Sequence, residues 1–154
     1  MLRFRPMAVS LLALILAACG DPTGLDHLTI NVALSRNKIM SSDTTTVVVR
    51  FTNTGSDSIS LPLFCQNLFE VANADGEIVA GREPMLCIAL AVGPDRLGPL
   101  ESLERRFLWT AQFREQIGDT LTSGPLPPGL YQVYGKVEER RSAPIRLELV
   151  PRVP

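Results

Sequence analysis

From Leu28 onward the chain alternates apolar and polar residues with a period of two. In HLTINVALS, Leu28, Ile30, Val32 and Leu34 share one face and Thr29 and Asn31 the other, the pattern of a half-buried strand. DTTTVVVRFTN repeats it, with Val47, Val49 and Phe51 opposite Thr46 and Arg50. Asn53 to Asp57 (NTGSD) is turn chemistry, and Ile59, Leu61 and Leu63 alternate beyond it. Pro62 inside that run assigns it to a sheet edge or a bulge, because proline brings no N–H to a ladder. Phe69 and Val71 lead into the turn Asn73-Ala74-Asp75-Gly76, and Ile78-Val79 follow, an Asp-Gly hairpin. Met85 to Val92 (MLCIALAV) is apolar throughout, which fits a fully buried strand or a helical turn. SLERRFLWT sets Leu103, Phe107 and Trp109 on one face, Trp109 as a core residue, with Arg105 a misfit among them. Gln112 to Ser123 keeps no regular period and reads as a loop, with at most a short helix.

The C-terminal third is the most regular. Pro128 has the fixed φ of position i+1 of a type II turn and Gly129 the positive φ of i+2. Strand LYQVYGKV then runs to a polar tip, Glu138 to Ser142, and Ile145, Leu147 and Leu149 return on alternate positions. With no heptads, helical repeats or low-complexity tracts, eight or nine short strands predict an all-β, antiparallel sandwich. The spacing Gly129-x-Tyr131-x-Val133 resembles the tyrosine corner of immunoglobulin-like sandwiches, in which a phenol bonds back to upstream backbone. In antibody domains a cysteine follows that tyrosine by two; here the position is Val133, so another device must join the sheets.

The first residues change the compartment. MLRFRP carries Arg3 and Arg5 and no acid, and Met7 to Leu16 is apolar apart from Ser10, a basic region followed by a hydrophobic one. That run is about half the roughly 20 residues a membrane-spanning helix needs, so it predicts export rather than a permanent span. Leu16-Ala17-Ala18-Cys19-Gly20 resembles the lipobox of bacterial lipoproteins, which implies cleavage before Cys19 and acylation of its thiol. Cleavage after Gly20, with Ala18 and Gly20 as the small residues, is the alternative and would release a soluble protein. Parity favours the lipid: of three cysteines, acylation consumes one and leaves Cys65 and Cys87. Several acyl chains hold a protein on a membrane durably, where one alone is marginal. Glycine rather than aspartate after Cys19 points, by analogy with sorting in diderm bacteria, to the outer membrane of the cell envelope. The chain thus divides into a cleaved signal peptide (1–18), a lipidated cysteine and tether (19–26) and one domain (27–154).

Losing residues 1–18 removes Arg3 and Arg5 and leaves 13 cations against 16 acids, a net charge of −3. That balance invites neither nucleic acid nor an anionic lipid surface. Cys65 and Cys87 flank the Asp-Gly hairpin in an oxidising compartment, and a disulfide between them would contribute roughly 3 kcal/mol on the chain-entropy account. A redox or metal role for the pair is disfavoured by the lack of Cys-x-x-Cys and by a lone histidine, His27, beside the tether. The same lone histidine leaves a serine or cysteine nucleophile without a base, so no enzyme and no cofactor are predicted. Glu70, Asp75, Glu77 and Glu83 read as a solvated hairpin, and Glu104-Arg105-Arg106 and Glu138 to Arg141 as exposed charge runs. Arg140 and Arg141 are the cations placed to meet an acidic partner.

With the strands placed, the order NTGSDSISLPL, FEVANADGEIVA, LGPLESLERRFLWT, LPPGLYQVYGKV resembles the intracellular proteinase inhibitor (BsuPI-like) domain, an immunoglobulin-like sandwich, over about residues 28–150. Two features depart from that family: Pro99-Leu100-Glu101 stands where Pro-Gly-Glu is usual, and an export leader precedes the domain. The shared motif consists of turns and core positions, so it implies a fold and proteinase inhibition without a reactive residue. Gln112 to Ser123 and Gly81 to Pro84 are the candidate inhibitory loops. A structural or adaptor module that docks another envelope protein is the second expectation.

Overall fold

Wherever the alternation predicts a strand in the part of the chain described, the backbone is extended and paired. The computed structural model describes residues 25–63, 66–81, 95–117 and 120–152. Cys19, Cys65, Cys87, Glu83, the leader and Met85 to Val92 lie outside these, and with them the lipidation, disulfide and buried-strand expectations. Leu25–His27 forms a single 3-10 turn. There follow β1 (Leu28–Leu34), β2 (Lys38–Met40), β3 (Thr44–Asn53), β4 (Ile59–Leu61), β5 (Phe69–Ala72), β6 (Ile78–Ala80) and β7 (Asp95–Leu97). The remaining elements are β8 (Ser102–Thr110), β9 (Gln112–Ile117), β10 (Thr120–Pro125), β11 (Gly129–Val137), β12 (Arg140–Arg141) and β13 (Ile145–Val150). Segments of two or three residues, namely β2, β4, β6, β7 and β12, carry the number of strands past the eight or nine expected.

Two sheets face each other. One runs β1-β3-β8, antiparallel throughout; the other runs β2-β13-β11-β5-β6, with β12 extending β11. The one parallel pairing among the described strands is β2 with β13. Two sheets of this order, with a tyrosine corner leading into the late strand β11, make an immunoglobulin-like all-β sandwich. The core lies between them: Val47, Val49 and Phe51 of β3 are fully buried, as are Val133 and Val137 of β11 and Leu147 of β13. Each such side chain contributes about 1.5–3 kcal/mol relative to exposure. The sheets approach closely at Gly135, where a Cβ would stand 2.9 Å from Val49 Cγ1 and 3.1 Å from Ile30 Cγ2.

Register defines the two ends of the sandwich. Leu28 pairs with Asn53 and Ser102 with Thr52 at one end, next to the 3-10 turn; Thr44 pairs with Thr110 at the other. Leu25, assigned to the tether by its composition, is buried in the core, so the packed structure begins two residues before His27. β4 stops at Leu61, just before Pro62, and among the described strands pairs only with the short β7, an edge position as expected.

Several sequence expectations are corrected by packing. Gly129 does not take a positive φ: it is the first residue of β11, paired with Leu149, and this pairing requires extended backbone. The Pro128-Gly129 type II turn is therefore absent, while the corner itself is present, with the Tyr131 hydroxyl donating to the Pro127 carbonyl at 2.8 Å. Arg105 is no misfit, because its Nη2 bonds both oxygens of Asp95 at 2.9 Å where the sheet edge meets solvent. Trp109 is half-buried rather than central and meets Phe69 edge-on, ring centroids 6.3 Å apart.

The turn at Pro99 closes with leucine, not glycine, at its left-handed position. Glu101 N donates to Gly98 O at 3.2 Å and Leu100 takes φ +59, the left-handed region that crowds a Cβ against the following carbonyl. Leu100→Gly is expected to stabilise the domain by about 1 kcal/mol, read as a higher urea midpoint with an unchanged slope. A lower midpoint would show that the leucine side chain offsets the strain within the fold.

Candidate functional site

The segment Gln112 to Ser123, expected as an irregular loop or short helix, is a hairpin. β9 and β10 pair in unbroken register from Gln112↔Pro125 to Ile117↔Thr120. Among the described residues its two strands pair with each other and lie outside the two main sheets. The base is braced: Ala111 N donates to Asp43 O at 3.0 Å and Leu126 N to Ala111 O at 3.0 Å. Gly124 lies against the Phe113 ring, where a Cβ would come within 2.9 Å. The hairpin leaves the sandwich just after Thr110, the end opposite the 3-10 turn. Among the described residues β10 has β9 as its sole strand neighbour. Of the second candidate, Gly81 to Pro84, only Gly81 is described; it takes φ +88 and its α-carbon abuts the Phe69 carbonyl so closely that no side chain fits.

A glutamate that sequence reasoning placed in solvent is buried, under cations that stay partly exposed. Glu70 lies opposite Tyr134 on the outward face of the larger sheet, yet it is only 3% exposed. Lys136 Nζ donates to its Oε1 at 2.8 Å. Arg141 Nη2 stands 2.6 Å from Oε2, off the hydrogen-bonding direction, so that contact is ionic and Oε2 has no aligned donor. The Arg141 guanidinium also lies over the Tyr134 ring, 5.8 Å from its centroid. Arg140 reaches Asp26 at 3.5 Å. Both arginines proposed for an acidic partner are thus engaged within the chain, where they fasten the β11–β12 tip to β5 and to the 3-10 turn. Asp75 and Glu77 remain exposed on their hairpin, as expected.

The outward face of the smaller sheet holds a shallow, open depression lined by Asn31, Val32, Ala33, Val48, Arg50 and Glu104. Glu104 accepts from Arg50 at 2.9 Å and from Arg106 Nε at 2.9 Å, and these bonds, Arg50's foremost, hold its carboxyl below the ordinary 4.5. A carboxyl depressed in the folded state contributes stability that is present above its unfolded value and is lost as pH falls through the folded one. Glu104→Gln is therefore expected to lower the melting temperature slightly at neutral pH, the difference closing as pH drops below 4.5. A deficit that stays constant down to pH 3 would exclude this origin.

Burial pushes the Tyr131 phenol above its ordinary 10.0, which keeps it the neutral donor that the corner requires. Among the described residues no three His, Cys, Asp or Glu side chains converge as metal ligands. His27, the sole histidine of the chain, is exposed, and its carbonyl accepts from Thr54 N at 2.8 Å. The structure therefore starts the hairpin at one end of the sandwich and fastens the charged cluster to the 3-10 turn that holds His27 at the other. No protein-family model matches the chain, and comparison with curated proteins gives no match.

Proposed function

We propose that this chain is a lipid-anchored binding module of the bacterial cell envelope, held to a membrane through an acylated Cys19, which inhibits a proteinase by presenting the β9–β10 hairpin to it. The observation that carries the reading is the position of that hairpin. It is braced at its base, begins at the end opposite the one where the tether joins the fold, and runs beside β6. β3 alone spans ten residues, so the two ends are about 30 Å apart. A proteinase cleft binds extended backbone by adding it as a strand, and β10 offers such an edge already ordered. Ordering it in advance reduces the entropy lost on binding. The resemblance to BsuPI-like domains points the same way.

The test is a titration of the purified mature protein against serine, cysteine and metallo-proteinases, alongside a variant in which Asn-Gly replaces residues 114–123 and joins Phe113 to Gly124. The expected result is inhibition of one class at about one-to-one stoichiometry, lost in the shortened variant while its melting temperature holds. If the folded parent inhibits none of them, the inhibitor reading falls. Crosslinking in the intact envelope would then ask whether the same hairpin docks a different protein, the adaptor alternative.

A further inference from the structure

Leu100 is an unusual residue for its place. It occupies a left-handed position, φ +59, that glycine would fill without strain, and its side chain is 79% exposed at the crest of the turn with Pro99. Nothing within the fold accounts for a large apolar side chain there, and strain of this kind persists where function requires it.

The turn belongs to the tether end of the sandwich. Asn53 N donates to Glu101 O at 3.0 Å and Asn53 Nδ2 to Gly98 O at 3.0 Å, while the adjoining Thr54 N donates to His27 O at 2.8 Å. Leu100, the Asn53 to Asp57 turn and the 3-10 turn at Leu25–His27 therefore form one surface. Residues 20–24 are all that separates Cys19 from the buried Leu25. Fully extended, that stretch reaches about 20 Å. Any lipid on Cys19 therefore holds this end of the sandwich within about 20 Å of the bilayer.

We propose that Leu100 seats the module on the lipid surface, its side chain entering the headgroup boundary when Cys19 is acylated. The inference rests on the lipid anchor proposed above. The surface around the turn carries both signs of charge, with Asp57 and Glu101 at the two turns and Asp26 paired with Arg140, so the attraction is apolar rather than electrostatic. Uncharged phosphatidylcholine therefore suffices as the surface. The seating fixes the orientation of the domain, which the lipid on Cys19 by itself does not.

The experiment uses the lipidated protein in phosphatidylcholine vesicles, with tryptophan fluorescence quenched by lipids brominated high on the acyl chain. The parent sets the baseline, since its only tryptophan, Trp109, pairs with Thr45 at the far end. Leu100→Trp is compared with Leu108→Trp, a side chain 82% exposed on the outer face of β8. The expected result is a blue-shifted emission from Leu100→Trp, quenched several-fold more than that of Leu108→Trp and unaffected by salt. Equal, solvent-like emission from the two variants in a protein that sediments with the vesicles would overturn the inference and leave the anchor standing, with a protein partner as the next occupant to test. A protein that fails to sediment with vesicles would overturn both.

Discussion

Replacing Asn53 by leucine is expected to lower the unfolding free energy by about 4 kcal/mol, the largest effect of any single polar substitution considered for this fold. The side chain is fully buried at the end of β3. Its amide donates to Asp57 O at 2.6 Å, Gly98 O at 3.0 Å and Leu97 O at 3.2 Å, and its Oδ1 accepts from Gly55 N at 2.9 Å. One residue thus satisfies backbone groups from the NTGSD turn and from the segment leading to the Leu100 turn. Leucine of similar volume leaves three carbonyls and an N–H without that partner, and each such buried group costs about 1–3 kcal/mol, less where water reaches it. Asn53→Asp tests the same account from another side, because a carboxylate accepts from Gly55 but can only repel the three carbonyls. Urea unfolding of both variants decides it: a loss under 1 kcal/mol for leucine would mean that water takes over these bonds.

Lys136→Met is expected to cost about 3 kcal/mol. It leaves the Glu70 carboxylate, only 3% exposed, with Arg141 as its remaining cation and with Oε2 lacking an aligned donor. Removing one partner of a buried pair strands the other charge in a poorly solvated site, which costs more than the pair contributes while intact. The double variant Glu70→Leu with Lys136→Met should therefore be more stable than Lys136→Met alone. This reversal separates stranded charge from lost packing. If the double variant is no better than the single, the lysine acts through its methylene stem, and the ion pair contributes little.

Much of the sandwich was legible as alternation. The faces of β1, β3 and β13 follow the period of two read from Leu28 to Leu34, Val47 to Phe51 and Ile145 to Leu149, because a strand covered on one side needs apolar side chains only there. Asn73 likewise announced its turn: its Oδ1 accepts from Asp75 N at 3.0 Å and Glu77 N at 2.9 Å, a local bond network that the residue types nearly dictate. The hairpin β9–β10 was not legible. Its two strands pair with each other outside the main sheets, through backbone bonds that any residue type can make, so the pairing leaves no period in the sequence.

The charged residues draw the same line more sharply. Glu70 and Lys136 meet across 66 positions, and Glu70 on an outward face reads as solvated until β11 and the tip beyond it lay two cations over it. Arg105 on an inward face reads as an error until Asp95 is brought beside it. Sequence alone determined the sandwich class, the strand faces and the tyrosine of the corner, because each depends on residue type within a few neighbouring positions. Tertiary structure alone decided which charges are buried, which turn holds a strained leucine and which end carries the hairpin. Those outcomes depend on which distant segments come together, and hydrophobic periodicity constrains the face of a strand without naming its partner.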